Sequence, residues 1–187
     1  VCAYLIFSAS SRPAERKAIR GYFATLDEVL LRCRQALTGD DGSAAVLAAV
    51  TALDEAHTQL DSRTSSMSLT YLNGRWSSTT HLKHLMDAGT RSTEAFASAV
   101  RAGPIPSDDA ARLGDAVALV RADLRLTRSV IADRETVPPV DPEDTEVLDR
   151  LRTLSEPSSS PAVTAMLMLA RVRRVLLSAI RMRQDER

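Results

Sequence analysis

Turn-forming breaks recur along this chain at helix-length intervals, and they constrain its fold more than any other feature. They are Gly39-Asp40-Asp41-Gly42, Asn73-Gly74, Gly103-Pro104-Ile105-Pro106, Val137-Pro138-Pro139 and Glu156-Pro157-Ser158-Ser159-Ser160-Pro161. Each joins residues that end helices or favour turns. Between them, apolar residues return every three or four positions, the period of one helix face.

The first segment runs from about Pro13 to Leu37, with Ile19, Tyr22, Phe23, Leu26, Leu30, Cys33 and Leu37 on one face. Pro13 suits a first helical turn, where its missing N–H costs nothing. The second runs from about Ser43, its expected N-cap, to at least Leu60, with Val46, Leu47, Val50, Leu53 and Leu60 inward. The third runs from about Ser78 to Val100 through Leu82, Leu85, Met86 and Phe96, and its polar middle with Gly89 predicts a weak or bent stretch. The fourth runs from about Ser107 to Arg134 on Leu113, Val117, Val120, Leu124 and Ile131, with Asp108 and Asp109 complementing the helix dipole.

A short fifth helix is expected from Pro142 to Leu154, capped by Asp141. A last one starts with Ser160 as cap and Pro161 first, and runs to about Arg183. The fold expected is all-α: an antiparallel bundle of about five to six helices over 12–187, with a hinge at 156–161. Aromatics at 4% and only 7 glycines leave little material for a sheet.

The 24 basic residues balance 24 acidic ones, which excludes nucleic-acid binding by charge. All the cations but Lys17 and Lys83 are arginines, a bias expected of a GC-rich coding sequence such as an actinobacterial one. Cys2 and Cys33 are too few for a disulfide framework.

Residues 1–11 open with an apolar, uncharged run, Val1–Ala9, followed by Arg12, Arg16, Lys17 and Arg20. This order matches the cytoplasmic end of a transmembrane helix with its positive flank, and is the reverse of a signal peptide. The alternative is an N-terminal stub packed on the core. Beginning at Val1 rather than Met, the chain is expected to be a piece of a longer protein.

No nucleophile elbow, phosphate-cradling loop or Cys-x-x-Cys is present, and no catalytic residue, metal ligand or cofactor site is assigned. His81, His84 and Asp87 share one helix face and could meet one metal, yet a solvated face explains them better. His57 is expected to pair along its own helix with Asp54 or Asp61. The last helix interleaves Arg171, Arg173, Arg174, Arg181 and Arg183 with Met166, Leu169, Val172, Val175 and Ile180. It reads either as a membrane-surface helix or as a bundle helix exposing arginines.

Two stretches, the apolar run leading into Ser11-Arg12-Pro13-Ala14-Glu15-Arg16-Lys17-Ala18-Ile19-Arg20, and Ala52-Leu53-Asp54-Glu55-Ala56-His57-Thr58-Gln59-Leu60-Asp61-Ser62-Arg63, give a layout that resembles the fusaric acid resistance protein-like family of bacterial inner-membrane transporters. The segment Tyr71-Leu72-Asn73-Gly74-Arg75-Trp76 matches no motif of that family, and no transport residue carries over. The resemblance implies a non-catalytic cytoplasmic helical domain supporting assembly or gating. Its partners would be the membrane-embedded part of the same chain, a homo-oligomer and an anionic lipid surface. The alternative is a standalone soluble helical-bundle binding or scaffold protein.

Overall fold

Helix ends in this chain are set by a few capping groups. The computed structural model describes residues 13–39, 42–68, 76–103, 105–133 and 160–184. Among them are five helices and no strand: α1 (Pro13–Leu37), α2 (Ser43–Ser68), α3 (Trp76–Arg101), α4 (Ser107–Asp133) and α5 (Pro161–Gln184). The short helix expected over 142–154, the apolar run 1–11 and most of the hinge at 156–161 lie outside the described residues.

α1 stops at Gly39, whose φ of 95° is open to glycine and strained for other residues. The Gly39 and Thr38 N–H groups donate to the carbonyls of Ala36 and Gln35 at 3.3 and 3.1 Å, which satisfies two end carbonyls. α5 starts as expected, with the Ser160 carbonyl accepting from Thr164 N–H at 3.1 Å. α2 differs. The first bond, from Val46 N–H at 2.8 Å, goes to the Gly42 carbonyl, so Gly42 caps and Ser43 is the first helical residue. The Ser43 hydroxyl instead accepts from Arg101 Nε at 3.3 Å, tying the start of α2 to the end of α3.

α1 is central and packs on α2, α3 and α4. Its buried face is the expected one, with Val29 added and Leu37 half-buried. Val46, Ala49, Leu53 and Leu60 of α2 are buried, whereas Leu47 is 49% exposed and leaves the expected stripe. It follows Val46 directly, and 100° further round the helix the side chain has left the face that meets α1. α3 runs unbroken through Gly89, and its polar middle faces inward, with Thr90 and Thr93 buried beside Met86 and Phe96. α4 buries Leu113, Ala116, Val117, Val120 and Leu124, while α5 buries Ala162, Val163, Ala165, Met166, Leu169 and Ala170.

Directions follow from levels. Tyr22 of α1 and His57 of α2 have ring centroids 6.0 Å apart, and each lies a similar distance from the Thr38–Gly42 turn. Met86 of α3 and Val120 of α4 line one hollow, and each lies well away from the short 102–106 connection. Both pairs are therefore antiparallel. Short connections predict antiparallel neighbours, and here one prediction fails. α3 and α4 run antiparallel but share no extended contact, because α5 packs on both and stands between them.

Candidate functional site

The polar groups that the fold brings together lie where α1, α2 and α3 meet. Polar pairs join α2 and α3 at three levels. Asp61 pairs with Lys83, and one turn away His57 Nε2 lies 2.8 Å from Asp87 Oδ1. At the far end Arg101 reaches Ser43. Stepping up α2 is matched by stepping down α3, as an antiparallel register requires. Asp61 also holds the exposed Lys83 ammonium above its ordinary pKa.

His57 thus corrects the expectation of a partner within its own helix. A residue half-buried against α3 meets the carboxylate of the neighbouring helix before those three or four positions away along the surface. The same bond decides the His81–His84–Asp87 pattern. Asp87 turns to His57, His84 is exposed, and the His81 side chain lies outside the described ones. Among the described residues, no three His, Cys, Asp or Glu side chains gather where a metal ion could be held.

Behind this seam stands Tyr22, fully enclosed. Its hydroxyl donates to the Met86 carbonyl and also hydrogen-bonds Thr90 Oγ1, each at 2.9 Å. Burial holds the phenol protonated well above its ordinary range, against the opposing Thr90 bond. The hydroxyl points at α3, not at the His57 ring. Among the described residues no hydroxyl or thiol hydrogen-bonds to that imidazole. The Cys33 thiol is buried in the apolar core, and burial pushes its pKa up to about 12, which makes it an inert thiol.

On the other flank of α1, Arg121 of α4 holds Asp27 through Nε at 2.7 Å and a terminal nitrogen at 3.3 Å, and Arg125 adds a contact at 3.3 Å. Reading the sequence missed this pair. The signal was there: Arg121 falls between Val117 and Leu124 on α4's inward face, a place a lone cation does not occupy without a partner.

The hollow among Tyr22, Met86, Gly89, Val120, Leu169 and Val172 is apolar and measures about 30 Å³. Ligand pockets are about ten times larger or more. α5's first half packs into the bundle, while Arg171, Arg174, Met168 and Val175 are exposed. No described helix is long and apolar enough to cross a membrane. Comparison with protein-family models, curated proteins and solved structures finds no match.

Proposed function

We propose that this chain is the non-catalytic helical module of a bacterial efflux-type membrane transporter, similar to the fusaric acid resistance protein-like family. In this reading it stands on the cytoplasmic side of the inner membrane and serves assembly or gating. One observation carries it. In the sequence the apolar run Val1–Ala9 is followed by Arg12, Arg16, Lys17 and Arg20 at the start of α1, and α1 is the helix on which α2, α3 and α4 pack. A segment entering lipid would then be joined in the sequence, through Ser10-Ser11-Arg12, to the helix at the centre of the bundle. The small apolar hollow supports a role in packing rather than in ligand capture.

The test is fractionation of cells producing the complete reading frame. The expected product sediments with membranes, resists an alkaline carbonate wash and is released by detergent. A product left in the supernatant would sink this reading and leave a standalone helical binding or scaffold protein.

A further inference from the structure

The charges of this chain cancel in total but not in space. α1 and α3 run away from one end of the bundle, and α2 and α4 run toward it. With the mid-length Asp27–Arg121 pair set aside, five described cations in the four half-helices at that end (Lys17, Arg20, Lys83, Arg125 and Arg128) face three carboxylates, Asp61, Asp87 and Asp123. The four opposite halves hold five cations against seven carboxylates, with Asp54, Glu55, Asp108, Asp109 and Asp115 among them. Glu15, Arg16, Arg63 and Asp133, also at the first end, add no net charge.

The basic end has a definite surface. Asp27 ties Arg125 to α1, and Arg128 stands one turn further along α4 toward the start of α1, at the level of Arg20. Lys17, Arg20 and Arg128 are exposed and make no ion pair among the described residues. From Ala9 to Pro13 the chain can reach about 14 Å at most. In the sequence the apolar run therefore joins the bundle at this end, where α1 begins.

We infer that the end of the bundle where α1 begins rests on an anionic lipid surface, with Lys17, Arg20 and Arg128 against the headgroups and the acidic end turned away. The inference deepens the proposed function and rests on it for orientation. Cations near such a surface act additively and are screened by salt. A membrane lying across the bundle's side would not select one end.

The experiment is vesicle co-sedimentation of the 187-residue chain with phosphatidylcholine alone and with phosphatidylcholine–phosphatidylglycerol mixtures. The Arg20→Glu/Arg128→Glu variant is compared with Arg34→Glu/Arg112→Glu, which changes net charge equally at the opposite end. Circular dichroism checks that both stay folded. The expected result is tighter binding to the anionic vesicles, weakened by salt. It falls on the order of 30-fold in the first variant and little in the second. Equal binding to both lipids, an equal loss in both variants, or no binding would overturn the inference. Fractionation reads out separately. Membrane-bound protein with no end preference spares the transporter reading, whereas soluble protein that binds by the basic end spares this one.

Discussion

Arg121 and Asp27 form the most enclosed ion pair described in the bundle, with 9% and 21% of their side chains exposed and the closest contact at 2.7 Å. The two residues are not equally replaceable. Asp27→Ala leaves a guanidinium buried among apolar side chains, whereas Arg121→Ala leaves a wetter carboxylate that Arg125 already touches. Asp27→Ala is expected to cost about 3 kcal/mol and Arg121→Ala about half that. The double variant is expected to cost less than the sum, because neither charge is then stranded. Urea unfolding of the three proteins checks the order; an Arg121→Ala cost above that of Asp27→Ala contradicts it.

Alkaline pH should unfold this protein through Cys33 and Tyr22. The thiol, ordinarily near 9.0, is pushed up to about 12 by burial, and the phenol, ordinarily near 10.0, is pushed higher still. In the unfolded chain both lose protons first, which favours unfolding. Their contribution is intact below about pH 9 and declines as pH rises, each group adding about 1.4 kcal/mol per pH unit at full slope. Cys33→Val should remove the decline between about pH 9 and 10 and make the decline above pH 10, where Tyr22 also contributes, shallower. Stability measured against pH for both proteins decides it, and identical profiles would rule out the thiol.

Glycines divide by what surrounds them. A methyl group at Gly21 or Gly114 would meet nothing within 4 Å, and both lie inside helices. Alanine there should stabilise by roughly 0.5–1 kcal/mol each, through helix propensity and the unfolded chain. Gly39→Ala should act oppositely, by about 1 kcal/mol, because its φ of 95° is strained for alanine. Thermal melts should show the two helix variants up by about 2–4 °C and Gly39→Ala down.

The helices themselves were legible because local signals agree. Pro13, the Gly39–Gly42 turn, Pro106-Ser107 and Ser160-Pro161 fix five of the helix starts or ends, and periodicity places most of each buried face. What lay outside one helix was not legible. His57 was assigned to its own helix because a single sequence shows only neighbours along the chain, and Asp87 comes within 2.8 Å only when α2 and α3 pair. The polar run around Gly89 looked weak for the same reason. Thr90 is buried there because Tyr22, from α1, supplies its partner. Neighbour order was hidden too, since nothing in the Ala102–Pro106 connection says that α5 will occupy the place beside α3.

Tyr22 and Thr90 allow one more prediction, in which the smaller effect comes from removing the partner. Tyr22→Phe deletes the hydroxyl that bonds the Met86 carbonyl and Thr90 together, each at 2.9 Å. The Thr90 hydroxyl can then turn to a carbonyl of its own helix, as threonines do, so the loss should be about 1 kcal/mol rather than a full desolvation penalty. Thr90→Val leaves the Tyr22 hydroxyl its Met86 acceptor and keeps the side-chain volume, so it should cost about half as much. Tyr22→Phe should also flatten the decline in stability above about pH 10, which Thr90→Val does not do. Chemical unfolding of both variants at neutral and alkaline pH separates the two effects. A Thr90→Val loss larger than that of Tyr22→Phe would mean that the phenol relies on Thr90 and not on the α3 backbone.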